Sequence, residues 1–119
     1  MDPTDPLAKT GVPHRAAGPE DAVAGVTPRW VATPGSTAEI SAVLRACAAH
    51  DLAVVPTGTR SRLHWAPPPR RCEVLLDLSR MTRVLEYAAE DLVVRVEAGV
   101  RPADLAAVLA ARGQELALD

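Results

Sequence analysis

The chain has 119 residues, of which 13 are basic and 15 acidic, for a formal net charge of -2. That balance, with aromatic residues at only 3% and no Phe, leaves no basic stripe interleaved with rings and argues against a nucleic-acid surface. No run of 18 apolar residues exists to span a bilayer, and MDPTDPLAKT lacks the charged and apolar regions of a signal peptide, so a cytoplasmic protein without membrane insertion is expected.

Residues 1–26 are rich in Asp, Pro, Gly and Ala without apolar periodicity, and they read as a flexible amino-terminal tail. One folded unit, residues 27–119, remains. Its core must come from Val, Leu and Ala, because rings are so few. Trp30 to Thr33 is a brief extended run ended by the turn signal Pro34-Gly35. Ser36 and Glu39 form a capping box, each satisfying a free backbone donor. Ile40, Val43, Leu44 and Cys47 follow at helical spacing, which predicts a helix from about Thr37 to His50.

Leu52 to Val55 is a continuous apolar run suited to a strand covered on both faces. A polar, basic loop follows, and then Pro67, Pro68 and Pro69 form a stiff connector. Val74 to Leu78 is the next strand, with Ser79 to Thr82 as a turn. Arg83 to Ala88 and Leu92 to Glu97 form a hairpin around Ala89-Glu90-Asp91, with Val94 and Val96 inward and Arg95 and Glu97 outward. Gly99 breaks the second arm. Pro102 opens a helix with Leu105, Val108 and Leu109 on its buried stripe, ending near Gly113. Glu115 to Leu118 reads as the start of another strand. The expected class is α+β, a mixed sheet with two packed helices.

Cys47 and Cys72 read as small core residues in a reducing compartment. Cys47 and His50 stand three apart on one helix, but a single pair is half a metal site, and no metal is expected. Ser36, Ser41, Ser61 and Ser79 lack a local His/Asp partner signature, and Tyr87 has no base beside it, so no catalytic residue is named. The loop is no Walker A motif either. It does leave the carboxyl end of a strand in an α/β unit, the edge where phosphate-bearing ligands dock in open sheets.

Three segments in order, PRWVATPGSTAEISAVLRACAAHDLAVVP, LLDLSRMTRVLEYAAEDLVVRVEAGV and DLAAVLAARGQELALD, resemble one family across residues 28–119. They look like the amino-terminal part of the FAD-binding domain of vanillyl-alcohol oxidase and p-cresol methylhydroxylase (PCMH) type flavoproteins. The nearest likeness is to the flavin subunit of bacterial glycolate oxidase. The resemblance implies a partial FAD-binding domain, whose family continues through a Gly-rich segment and a substrate domain.

By the same resemblance, Pro56, Thr57, Gly58, Thr59, Arg60, Ser61, Arg62 and Leu63 match the pyrophosphate loop. Successive backbone N–H groups there must converge on phosphate, and glycine allows the close approach. Thr59 and Arg60 stand where the family commonly has glycine. A non-Gly residue held at left-handed φ costs about 1–2 kcal/mol, whereas a charge-assisted hydrogen bond from Arg60 or Arg62 returns about 1.5–3 kcal/mol.

His64 does not stand where a covalent flavin histidine is expected, so the resemblance implies non-covalent FAD. His64 and Trp65 read as surface and packing residues. Asp77, Ser79 and Met81 belong near the same edge, and Gly99-Val100 match a family AGV turn. The implied function is a FAD-dependent oxidoreductase component acting on a 2-hydroxy acid such as glycolate, inactive by itself, with flavin-containing and iron–sulfur partner subunits. The alternative is a non-catalytic scaffold or interaction module that has lost the flavin and offers its last strand to a partner.

Overall fold

The computed structural model describes residues 5–58 and 67–117. A four-stranded sheet runs in the order β1-β2-β4-β3, from β1 (His14–Ala16), β2 (Trp30–Ala32), β3 (Val54–Thr57) and β4 (Val74–Asp77). β2, β3 and β4 are parallel, and β1 is antiparallel to β2. A separate hairpin joins β5 (Val84–Ala88) to β6 (Val93–Val96). The helices are α1 (Thr37–Ala49), between β2 and β3, and α2 (Pro102–Ala110), after the hairpin. The α+β class holds.

Strand alternation divides the core between the two faces of the sheet. On one face Ala32, Val74 and Leu76 meet Val43 and Cys47 of α1, with Leu7 and Val12. On the other, Val31 and Leu75 meet Val23. Both cysteines are buried and unpaired by disulfide, and burial is the main cause raising each thiol pKa. Of the expected α1 stripe, Val43 and Cys47 are buried and Ile40 is half-buried, but Leu44 turns outward.

The capping box at α1 is displaced by one residue. Ser36 Oγ accepts from the Glu39 backbone N–H at 3.1 Å, as expected, while Glu39 Oε1 accepts from Gly35 N–H at 2.7 Å. The helix still starts where the sequence places it, because two free donors are satisfied.

Residues 5–26 do not behave as a flexible tail. Leu7, Val12 and Val23 are buried in the two cores, and β1 adds a strand to the sheet. Polar fastenings hold this segment. His14 Nε2 bonds Asp5 Oδ2 at 2.7 Å and its Nδ1 faces the Val12 carbonyl at 2.8 Å. Arg15 grips the buried Asp21 through two contacts, at 2.8 and 2.9 Å, and Gly18 N–H adds a third to that carboxylate. Burial opposes the charged form of His14, but the Val12 carbonyl and Asp5 outweigh it and raise its pKa.

Other corrections are local. β3 begins at Val54 and is only half-buried, because it lies at the edge of the sheet; β4, in the interior, is the strand covered on both faces. Val108 of α2 is exposed, leaving Leu105 and Leu109 as its buried residues. Glu115 to Ala117 form no strand, and Leu118 lies outside the described residues. Glu97, expected outward, is buried against Arg83. The Tyr87 hydroxyl bonds Gln114 Oε1, and Gln114 Nε2 donates to the Ala89 carbonyl at 2.8 Å, which docks the end of α2 on the hairpin.

Candidate functional site

The parallel strands β3 and β4 deliver their carboxyl ends to one edge. The Leu78 N–H donates to the Thr57 carbonyl at 2.8 Å, extending the ladder one step past β4. Beyond it, Asp77 Oδ1 accepts from the Ser79 N–H at 2.9 Å, and the Met81 N–H closes a turn on the Leu78 carbonyl at 2.9 Å. Asp favours such a turn because its carboxylate stands in for a backbone acceptor.

The chain returns to this edge after β6. The Gly99 N–H donates to the Met81 carbonyl at 2.8 Å. A Cβ at Gly99 would lie 1.8 Å from the Leu78 oxygen and 2.7 Å from the Met81 oxygen, so only glycine fits. Two residues on, Arg101 caps α2 and Pro102 opens it, which its fixed φ and missing N–H suit.

These segments enclose an open cleft of about 260 Å³. Gly58 lines it from just past β3, Asp77 from the end of β4, Ser79 and Thr82 from the turn that follows, Gly99 and Arg101 from the approach to α2, and Asp104 from its first turn. Arg101 forms no ion pair with any described residue. Asp104, in the first turn of α2, complements the positive end of the helix dipole.

Gly58 behaves unlike Gly99. Its φ is not left-handed, and an added Cβ would find only the Ala98 oxygen, at 4.0 Å. The protein itself therefore does not demand glycine at 58. The space a side chain would fill is cleft, which suits close approach of a ligand to the main chain. Open main chain at Gly58, the Ser79 hydroxyl and the Arg101 guanidinium are groups that can meet an anion, and the carboxylates of Asp77 and Asp104 line the same cleft.

Of the loop residues named from sequence, Pro56 is exposed on β3, Thr57 is buried, and only Gly58 faces the cleft. Thr59, Arg60, Ser61, Arg62 and Leu63 lie outside the described residues, as do His64 and Trp65. Asp77 and Ser79 line the cleft as anticipated. Met81 does not: it is buried, and contributes only a carbonyl to the wall. Thr82, Arg101 and Asp104 escaped the sequence reading. The signal for Arg101 was present, since Gly99 followed by Pro102 marks a helix start beside the same turn. His50 ends α1 exposed to solvent, and among the described residues no group of three His, Cys, Asp or Glu is placed to hold a metal.

The carboxyl edge of parallel strands is where open α/β sheets commonly take up ligands. Residues 28–119 match the family model described as a FAD binding domain, and the chain belongs to that family. Its cofactor is FAD. Among curated relatives it is 36% identical over 80 residues to D-2-hydroxyglutarate dehydrogenase of Xanthomonas citri pv. viticola, covering 62% of this chain and 17% of that protein. It is 30% identical over 86 residues to the glycolate oxidase subunit GlcD of Bacillus subtilis, covering 72% and 18%.

Among solved structures it resembles a berberine bridge enzyme variant at TM-score 0.73 and 17% identity, over 92% of this chain and 26% of that one. p-Cresol methylhydroxylase follows at TM-score 0.63 and 21% identity, over 73% and 17%. These likenesses establish the PCMH-type fold. A match over 92% of the chain must include most of residues 1–26, in keeping with their place in the sheet. The chain spans under a fifth of the length of these curated relatives.

Proposed function

We propose that this chain is the diphosphate-holding part of a flavin-dependent oxidoreductase that oxidises a 2-hydroxy acid such as glycolate, working within a larger protein or complex. The observation that carries the reading is the juxtaposition of Gly58, Ser79 and Arg101 around one cleft at the carboxyl edge of the sheet. The names of three relatives support the substrate class: D-2-hydroxyglutarate dehydrogenase, D-lactate dehydrogenase and glycolate oxidase subunit GlcD.

Bound non-covalently, the flavin supplies the ring that accepts hydride from the substrate. The residues of this chain bind and orient. Gly58 offers unobstructed main chain, Ser79 a hydroxyl and Arg101 a cation; Arg60 and Arg62 of the adjoining loop add further cationic donors. These are binding roles, and negligible turnover is expected from the chain alone. An iron–sulfur partner subunit in the cytoplasm would take up the electrons.

The test is a titration of the full chain with FAD, read by flavin fluorescence and by the thermal midpoint. Saturable binding that raises the midpoint supports the reading. Arg60→Ala with Arg62→Ala is expected to weaken affinity at least about tenfold, the loss of one or more charge-assisted contacts. A colourless protein whose midpoint ignores FAD overturns the reading in favour of a scaffold without flavin.

A further inference from the structure

The two walls of the cleft diverge from a single pair of residues at the open end of the hairpin. Arg83 and Glu97 stand one step beyond the Val84–Val96 pair of β5 and β6. The Glu97 N–H donates to the Arg83 carbonyl at 2.9 Å. Glu97 Oε1 accepts from the Arg83 backbone N–H at 2.8 Å and from Nε at 2.9 Å, while Oε2 accepts from Nη2 at 3.0 Å. Upstream of Arg83 lie Thr82 and Ser79. Downstream of Glu97 lie Gly99 and Arg101.

The burial of this pair is lopsided. The Glu97 side chain is 6% exposed, whereas that of Arg83 is 69% exposed. Placing a carboxylate inside is unfavourable unless it is well hydrogen-bonded, and an apolar pair would close a hairpin without that cost. What an apolar pair cannot do is fix direction. Three donors on two oxygens set the orientation of both strands at once. From that pair the chain reaches Gly99, where the Leu78 and Met81 carbonyls leave no room for a Cβ. Val100 N–H bonds back to the Glu97 carbonyl at 3.2 Å. An error in the direction of residue 97 therefore passes straight to the wall that carries Arg101.

The geometry points to Glu97 and Arg83 as a positioning pair for the cofactor cleft, fixing the Ser79–Thr82 wall relative to the Gly99–Arg101 wall. This rests on the cofactor reading above. Neither residue faces the cleft, so the pair acts through the turn at Gly99.

The experiment compares the full wild-type chain with Glu97→Ala, Arg83→Lys and Arg95→Ala, the last removing an exposed mid-hairpin pair to Glu86 at 3.9 Å. FAD affinity is read by flavin fluorescence at low temperature, and folding by circular dichroism in the same samples. Glu97→Ala is expected to weaken FAD binding about tenfold while still folded. Arg83→Lys, which keeps the charge but not the fork, should give an intermediate loss, and Arg95→Ala none. A Glu97→Ala protein with a lowered thermal midpoint and wild-type FAD affinity overturns the inference and leaves the cofactor reading intact. A wild-type chain that binds no FAD overturns both. If Glu97→Ala does not fold, Arg83→Lys decides: weakened affinity in a folded protein supports the pair, and unchanged affinity sinks it.

Discussion

The four-stranded sheet and the hairpin-plus-α2 unit are held together by different physics. In the sheet, Val31, Val74 and Leu75 are wholly buried and both faces are covered. In the hairpin unit, Val84, Leu85, Val93 and Val108 are exposed, and Leu92 is 80% exposed. There the shape depends on directional contacts: the Arg83–Glu97 fork, the Tyr87–Gln114–Ala89 chain and the glycine contact at 99. Burial gives stability without direction, and hydrogen bonds give direction with little net stability. The cleft lies where the two regimes meet, with Gly58 from one and Arg101 from the other.

The sharpest way to break this contrast is Leu75→Ala. It leaves a cavity between β4 and its neighbours and is expected to cost about 3 kcal/mol or more by denaturant titration. A loss under about 1 kcal/mol would show that the sheet is not the stability centre.

The second prediction uses pH, because two polar fastenings respond in opposite directions. His14 has a raised pKa in the folded chain. Its contribution is therefore full below the ordinary histidine value and is lost as pH rises through the folded value. Glu97 is held below the ordinary carboxylate range by the Arg83 side chain first and the Arg83 backbone N–H second, against a smaller opposing effect of burial. Its contribution is present above that ordinary range and is lost as pH falls through the folded value. Accordingly, the stability gap between wild type and Asp5→Asn should narrow from slightly acid to slightly alkaline pH. The gap between wild type and Glu97→Gln should narrow only in acid. Thermal midpoints across the pH range check both.

The smallest effect is expected at Leu92, which holds φ at +57° between the hairpin arms. Leu92→Gly should relieve up to about 1 kcal/mol of left-handed strain, since little apolar contact is lost from so exposed a residue. A clear drop in the thermal midpoint would mean that Leu92 is packed in solution.

These contrasts also explain what the sequence could reveal. α1 was legible because Ser36, Glu39 and the apolar spacing agree, each a local signal. The tail was misread because Leu7, Val12 and Val23 are isolated apolar residues whose partners lie far along the chain; no periodic pattern marks them. Glu97 was misread because alternation from Val94 and Val96 sends it outward, and only its forked partner at 83 turns it in. At the site, Gly58, Asp77 and Ser79 were legible from strand ends. For Arg101 the sequence marked the helix start but not the cleft, because its neighbours in space come from strands ending more than twenty residues earlier.

Pro56 has a consequence of its own. It sits on β3, the outermost strand of the sheet, which pairs only with β4 among the described residues. A bare outer strand is a template on which copies of a chain can stack. The pyrrolidine ring carries no N–H, so one rung of that template is missing. A residue two positions before Gly58 thus removes one hydrogen-bonding rung from the sheet's outer edge, where another strand would otherwise pair.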